Sequence, residues 1–285
     1  MRYRKAIAAA LVALGLLVGC TSREVIDPYA GMVQVESGFG NKMWVTLHED
    51  VPVNELGEDD FSGGKYIGTD YTVLEGIDVS EHQGDVDWAA VAADGVDFAI
   101  IRAGYRGYSE GGLFVDDWFF ENMDGAIENG LDIGVYFFSQ ATSAEEAVEE
   151  ADFLIKEMLS QYTHETFALP VFYDWESITT DEARTDGLGG DVITECALAF
   201  CSRIAELGYT PGVYAYRNLG YYSYDLPRMT HLTWWAAALN DYPDFYYKHD
   251  LWQNAVTGPG TVAGVEGEID RNILFVPAPQ SSESD

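Results

Sequence analysis

Leu169-Pro170-Val171-Phe172-Tyr173-Asp174-Trp175-Glu176 decides the fold. Its first five residues carry no charge, and its last three bring two carboxylates. The run is apolar enough to be buried on both faces, the habit of strands in parallel sheets covered by helices. Carboxylates placed directly after it emerge where the strand ends. Residues i and i+2 of a strand share a face, with Cα atoms about 6.6 Å apart, so Asp174 and Glu176 are aimed into one cleft.

Outward from this strand the same pattern recurs. Strands are predicted at 76–79, 98–103, 133–138, 169–174, 212–216, 233–238, 250–253 and 268–274. Helical periods separate the early ones. Ser143-Ala144-Glu145-Glu146 reads as a capping box opening a helix to about residue 159. A second helix over 191–207 puts Ile193, Ala197, Phe200, Ile204 and Leu207 on one stripe and stops at Gly208. After Ala238 the strands follow too closely for full crossover helices. The expected fold class is α/β: one irregular barrel over residues 76–276, with helices around its first five strands only.

Residues 20–75 are rich in Gly, Asp and Glu and read as a tether, with a small β-rich element around Met43-Trp44-Val45-Thr46-Leu47. The tail 277–285 reads as disordered. At the other end Arg2, Arg4 and Lys5 precede a thirteen-residue apolar run over 6–18, the layout of an export signal and too short to span a bilayer. Leu17-Val18-Gly19-Cys20 resembles the bacterial lipobox. That resemblance makes 1–19 a signal peptide and Cys20 an acylated residue, holding the protein at the outer face of the bacterial cytoplasmic membrane. Acyl burial at about 0.8 kcal/mol per methylene gives stable anchoring with two or more chains.

The formal charge is −33, from 15 basic and 48 acidic residues; losing the three basic residues of 1–19 leaves −36. Such a charge opposes nucleic acid and anionic lipid, so no nucleic-acid partner is expected and the membrane partner is reached through Cys20 alone. Cys196 and Cys201, five apart on a helical pattern, lie about 140° apart around the axis and are read as buried apolar residues, not a disulfide. No Cys or His cluster has metal-ligand spacing, so neither metal nor cofactor is expected.

Barrel active sites gather at the C-terminal ends of strands. Asp78 ends the first predicted strand, Asp174 and Glu176 the fourth, and Asp270 lies in the last. Two adjacent carboxylates repel each other's charge, so at neutral pH one keeps its proton and can act as a general acid. Cleavage of a glycosidic bond needs that pairing. An isolated Asp-x-Glu after a strand is usually a solvated turn, so the rest of the chain has to supply the specificity.

It does so through ordered motifs. Gly76-Ile77-Asp78-Val79-Ser80-Glu81-His82-Gln83-Gly84 with Asp87-Trp88 resembles the opening of glycoside hydrolase family 25, the Chalaropsis-type and phage lysozymes. Phe98-Ala99-Ile100-Ile101-Arg102-Ala103, Gly134-Val135-Tyr136-Phe137-Phe138, Leu169-Pro170-Val171 with Asp174-Trp175-Glu176, Trp252-Gln253 and Asp270-Arg271-Asn272 follow in order. The resemblance covers about seven tenths of the chain. It implies a TIM-like (βα)5β3 barrel and hydrolysis of the β-1,4 bond between N-acetylmuramic acid and N-acetylglucosamine. It also implies Glu176 as catalytic acid, Asp174 as its partner, and Asp78 and Asp270 as flanking carboxylates. Asp174 either attacks the anomeric carbon or steadies the substrate's own N-acetyl group, with the second favoured.

Tyr136, Trp175, Trp235 and Trp252 are expected to offer flat apolar platforms to sugar rings, and Gln253 to hydrogen-bond an inward carboxylate or an N-acetyl group. Arg102 is expected as the ion-pair partner of a site carboxylate, and His82 in a supporting or surface role. Two places depart from the commonest family pattern: Tyr136-Phe137-Phe138, and Trp234-Trp235-Ala236-Ala237-Ala238, where Ala238 lacks a cleft hydroxyl. The partner expected is the glycan strand of peptidoglycan, taken by a monomer. A non-catalytic peptidoglycan-binding lipoprotein and a glycosidase for another cell-surface polymer are the alternatives.

Overall fold

The computed structural model describes residues 27–37, 41–179 and 181–279. The export signal, Cys20 and residues 280–285 of the tail lie outside these. Ahead of the barrel stand two small antiparallel ladders, β1 (Met32–Glu36) with β2 (Lys42–Thr46), and β3 (Phe61–Ser62) with β4 (Lys65–Tyr66). The barrel itself then runs β5 (Tyr71–Val79), α1 (Trp88–Ala93), β6 (Phe98–Arg106), β7 (Leu113–Val115), α2 (Phe119–Glu128), β8 (Asp132–Ser139), α3 (Ala144–Glu157) and β9 (Val171–Trp175). It continues α4 (Gly190–Glu206), β10 (Pro211–Tyr216), α5 (Arg217–Tyr222), β11 (Thr233–Ala237), β12 (Leu251–Thr257) and β13 (Ile269–Pro277).

Strands β5, β6, β8, β9, β10, β11 and β12 run parallel, and β13 pairs antiparallel with both β12 and β5 to close an eight-stranded barrel. Strand β7 folds back on β6 as an extra strand. A helix follows each of the first five barrel strands and none follows β11 or β12, which is the expected (βα)5β3 order. The last strand, β13, is the one that runs against the rest. Parallel neighbours need a crossover of a dozen or more residues, usually helical, and the segment between β12 and β13 is shorter and forms no helix.

Local chemistry accounts for the elements. The Ser143 hydroxyl caps α3 by accepting from the Glu146 N–H, but the Glu146 carboxylate accepts from the Thr142 N–H, so the reciprocal half of the expected capping box is displaced by one residue. In α4 the buried stripe Ile193, Cys196, Ala197, Phe200 and Ile204 faces the barrel, and Gly208 reverses the chain at φ +89°. Cys196 and Cys201 are free and buried. Inside the barrel Phe98, Ile100, Phe172, Trp235 and Leu251 fill the floor. Gly76 and Gly212 make room for it: a Cβ on them would stand 2.2 Å from the Phe98 ring and 2.5 Å from the Phe172 ring.

Residues 27–70 are docked on the barrel, which corrects their reading as a tether, although β1 and β2 supply the β-rich element. The Tyr247 hydroxyl accepts from the His48 N–H and donates to the Thr46 carbonyl, and Asn54 donates to the Pro243 carbonyl at 2.8 Å. Phe61 joins Ala238, Trp252, Ile273 and Phe275 in one buried cluster. These residues are on the outward face of the helix-free strands, where apolar surface would otherwise meet water. Barrel strand β5 begins at Tyr71, five residues before the expected boundary, and Pro277 of the expected tail is the last residue of β13.

Candidate active site

Alternation along β9 sends Phe172 and Asp174 inward and Tyr173 and Trp175 into the helical layer. Asp174 is 4% exposed, and Glu176, one step past the strand end, is half-buried. The two carboxyls are neighbours, and each acts on the other's ionisation. Burial, then the neighbouring Glu176 and Asp78 charges, push Asp174 well above the usual carboxylate range. Glu176 is raised by burial and by Asp270. Burial is the largest cause for both groups, and it is deeper at Asp174.

Asp78 ends β5 and Asp270 begins β13, and the two are register partners. Because β13 is antiparallel, its start lies at the mouth where the parallel strands end. Asp78 is held by two amides: Gln253 Nε2 at 2.9 Å and Asn272 Nδ2 at 2.8 Å both donate to its Oδ2. Trp235 Nε1 donates to Asn272 Oδ1 at 2.8 Å and the Tyr214 hydroxyl to Gln253 Oε1 at 2.9 Å, which fixes both amide orientations. Burial and the Asp270 charge outweigh these donors and bring Asp78 up to about 7. Asp270 is raised by burial and by Glu268.

All four expected carboxylates therefore meet at one mouth, and Gln253 is the hydrogen-bond partner of an inward carboxylate. Tyr136 is an inward neighbour of Asp78, Arg102 and Asp174, its hydroxyl raised well above its ordinary range, chiefly by burial. The other platforms are corrected. Trp252 is wholly buried on the outer barrel face, with Nε1 donating to the Ala238 carbonyl and its ring 5.4 Å from Phe61. Adjacent strand residues face opposite ways, so an inward Gln253 obliges an outward Trp252. Trp235 does face inward, but it is 2% exposed and packed beneath the carboxylates against Phe172 and Tyr214.

Ala238 lies under Phe61 and not in the cleft, so its missing hydroxyl does not alter the mouth. Arg102 binds Asp116 at 2.7 Å and Glu81 at 2.8 Å rather than one of the four carboxylates, because the turn after β7 brings Asp116 onto it. His82 is exposed. Asn272 and Tyr214 were missed as site residues; Asn272 follows Asp270 by two, the same shared-face signal that singled out Asp174 and Glu176. Among the described residues no group of His, Cys, Asp and Glu is arranged to hold a metal ion.

An α/β barrel with two neighbouring carboxyls raised by burial and two flanking carboxylates at its mouth is built as a glycoside hydrolase. Residues 77–262 match Glycosyl hydrolases family 25, and the chain belongs to that family. It is 26% identical over 211 residues to Lysozyme M1 of Streptomyces globisporus, across 71% of this chain and 68% of that one. To an N,O-diacetylmuramidase of Arthroderma benhamiae it is 25% identical over 193 residues, 65% and 77% of the two chains. Its fold is similar to the modular autolysin LytC of Streptococcus pneumoniae, whose structure holds a synthetic peptidoglycan ligand: TM-score 0.60, 22% identity and 86% of this chain, which spans 57% of the autolysin.

Proposed function

We propose that the protein is a muramidase, hydrolysing the β-1,4 bond between N-acetylmuramic acid and N-acetylglucosamine in peptidoglycan outside the cytoplasm. The observation that carries this reading is the meeting of Asp174 and Glu176, two neighbouring carboxyls raised by burial, with the register partners Asp78 and Asp270 at one barrel mouth. The names of both relatives support it. Glu176, the more exposed of the pair and raised by burial and by the Asp270 charge, protonates the leaving oxygen.

Asp174, two residues before Glu176 and on the same face, steadies the substrate's N-acetyl group while its carbonyl oxygen attacks the anomeric carbon. Asp78, fixed by two amides, is a rigid acceptor for a sugar hydroxyl or amide. Cys20, acylated, keeps the enzyme at the outer face of the membrane.

Purified peptidoglycan incubated with the protein is expected to release new reducing ends. Glu176→Gln should lower that rate by about 10²–10⁴ while leaving the folded state intact. Equal inactivity of both proteins on every wall preparation, native and de-O-acetylated, would sink the reading in favour of a glycan binder.

A further inference from the structure

Strand register extends the site sideways. Asp174 on β9 is the partner of Phe138 on β8, Phe138 of Tyr105 on β6, and Tyr105 of Phe114 on β7. Register partners point to the same face. Asp174 faces the cleft, so Phe138, Tyr105 and Phe114 form one row with it. At about 4.8 Å per strand the row runs roughly 14 Å from Asp174 to the free edge of β7. That length holds more than one sugar ring.

The row ends in a stacked aromatic pair, with Phe114 as its outer ring. The Tyr105 and Phe114 rings are nearly parallel, 5.3 Å between centroids and 25° between planes. The Arg102 guanidinium lies 5.2 Å from the Tyr105 centroid and is itself pinned by Asp116 and Glu81, so that ring is held from one side. Phe114 lies over the glycine turn: a Cβ on Gly112 or Gly107 would stand 3.1 or 3.3 Å from its ring. The glycines leave room for that ring, and Phe114 is 49% exposed. A large aromatic ring left half open to water beside the cleft is a surface for a ring-shaped partner with an apolar face.

We propose that Phe138, Tyr105 and Phe114 form a subsite that stacks the pyranose rings of the glycan strand on the β7 side of the cleft, away from the bond being cut. The inference rests on the muramidase reading for its ligand class, and on register and ring geometry for its place.

Binding is measured by calorimetry in the Glu176→Gln protein, with a peptide-free hexasaccharide of alternating N-acetylglucosamine and N-acetylmuramic acid as probe. Phe114→Leu should weaken binding roughly 2- to 12-fold, the worth of one aromatic stacking contact. Tyr105→Leu with Phe114→Leu should weaken it by more, and Phe114→Tyr should restore it. Melting curves check that each variant is folded, and Phe114→Leu, on an exposed ring, leaves the core untouched. Unchanged affinity in Phe114→Leu, failure of Phe114→Tyr to rescue, or no binding of the hexasaccharide at all would overturn the subsite. Weakened binding in these variants alongside no reducing-end release by the wild type would leave the subsite standing and remove the muramidase reading.

Discussion

Replacing Asp78 with asparagine should remove a pH dependence from the stability of the whole fold. Asp78 is 8% exposed, and its carboxyl is raised from 3.8 to about 7, first by burial and then by the Asp270 charge. Between those two values the folded protein holds a proton that the unfolded chain has released. Stability contributed by the protonated group is fully present below about pH 4 and is lost as pH rises to about 7. At about 1.4 kcal/mol per unit the loss amounts to roughly 4 kcal/mol.

The amide of the Asp78→Asn variant would not titrate. Its carbonyl oxygen can accept from Gln253 and Asn272 just as Asp78 Oδ2 does, so the variant keeps both hydrogen bonds. Urea unfolding followed by tryptophan fluorescence at a series of pH values from about 4 to 8 gives both stability curves. The wild type is expected to lose about 4 kcal/mol more than Asp78→Asn across that range, and the variant to be the more stable protein at the alkaline end. Curves whose changes differ by less than about 1 kcal/mol would refute the account of Asp78 as a buried, proton-holding carboxyl.

Other outcomes follow from the same contacts. Asp270 raises Glu176 through its charge, so Asp270→Asn should lower the Glu176 pKa and move the alkaline limb of the kcat/KM profile toward lower pH; an unmoved limb would separate the two groups. Phe61→Ala opens the cluster beneath residues 27–70 and should cost roughly 3–5 kcal/mol in unfolding, with earlier proteolytic cutting before residue 71. Cys20→Ser should abolish labelling by radioactive palmitate and move the protein from the membrane to the soluble fraction of the producing cell. Retention in the membrane would contradict lipidation at that cysteine.

Much of the barrel was legible because its strands obey one rule. The run 169–174 and its counterparts are buried on both faces, so near-continuous apolar stretches ending in carboxylates stood out, and Asp78, Asp174 and Glu176 could be placed without coordinates. Face assignment was less legible. Trp252 and Gln253 are neighbours, one residue of slip exchanges them, and nothing local says which turns inward until Gln253 is seen on Asp78. The docking of residues 27–70 was hidden for a different reason. Gly, Asp and Glu interrupt their apolar residues throughout, and the buried side chains that attach them, Val35, Val45, Val51 and Phe61, are too scattered to show a period.

The direction of β13 ties these observations together. Were β13 parallel to its neighbours, its first residues would lie at the closed end of the barrel, and Asp270 and Asn272 would be far from Asp78. Running it backward places Asp270 opposite Asp78 and lets Asn272 share Gln253's grip on the same carboxylate oxygen. The reversal also removes the crossover helix that a parallel strand would need, and so bares Trp252, Ile273 and Phe275 on the outer face. Phe61 and the segment around it close that face. The same irregularity that completes the carboxylate cluster thus creates the need for the N-terminal cover, and loosening Phe61 should be felt at Asp78 through β13 even though the two residues lie on opposite sides of the barrel wall.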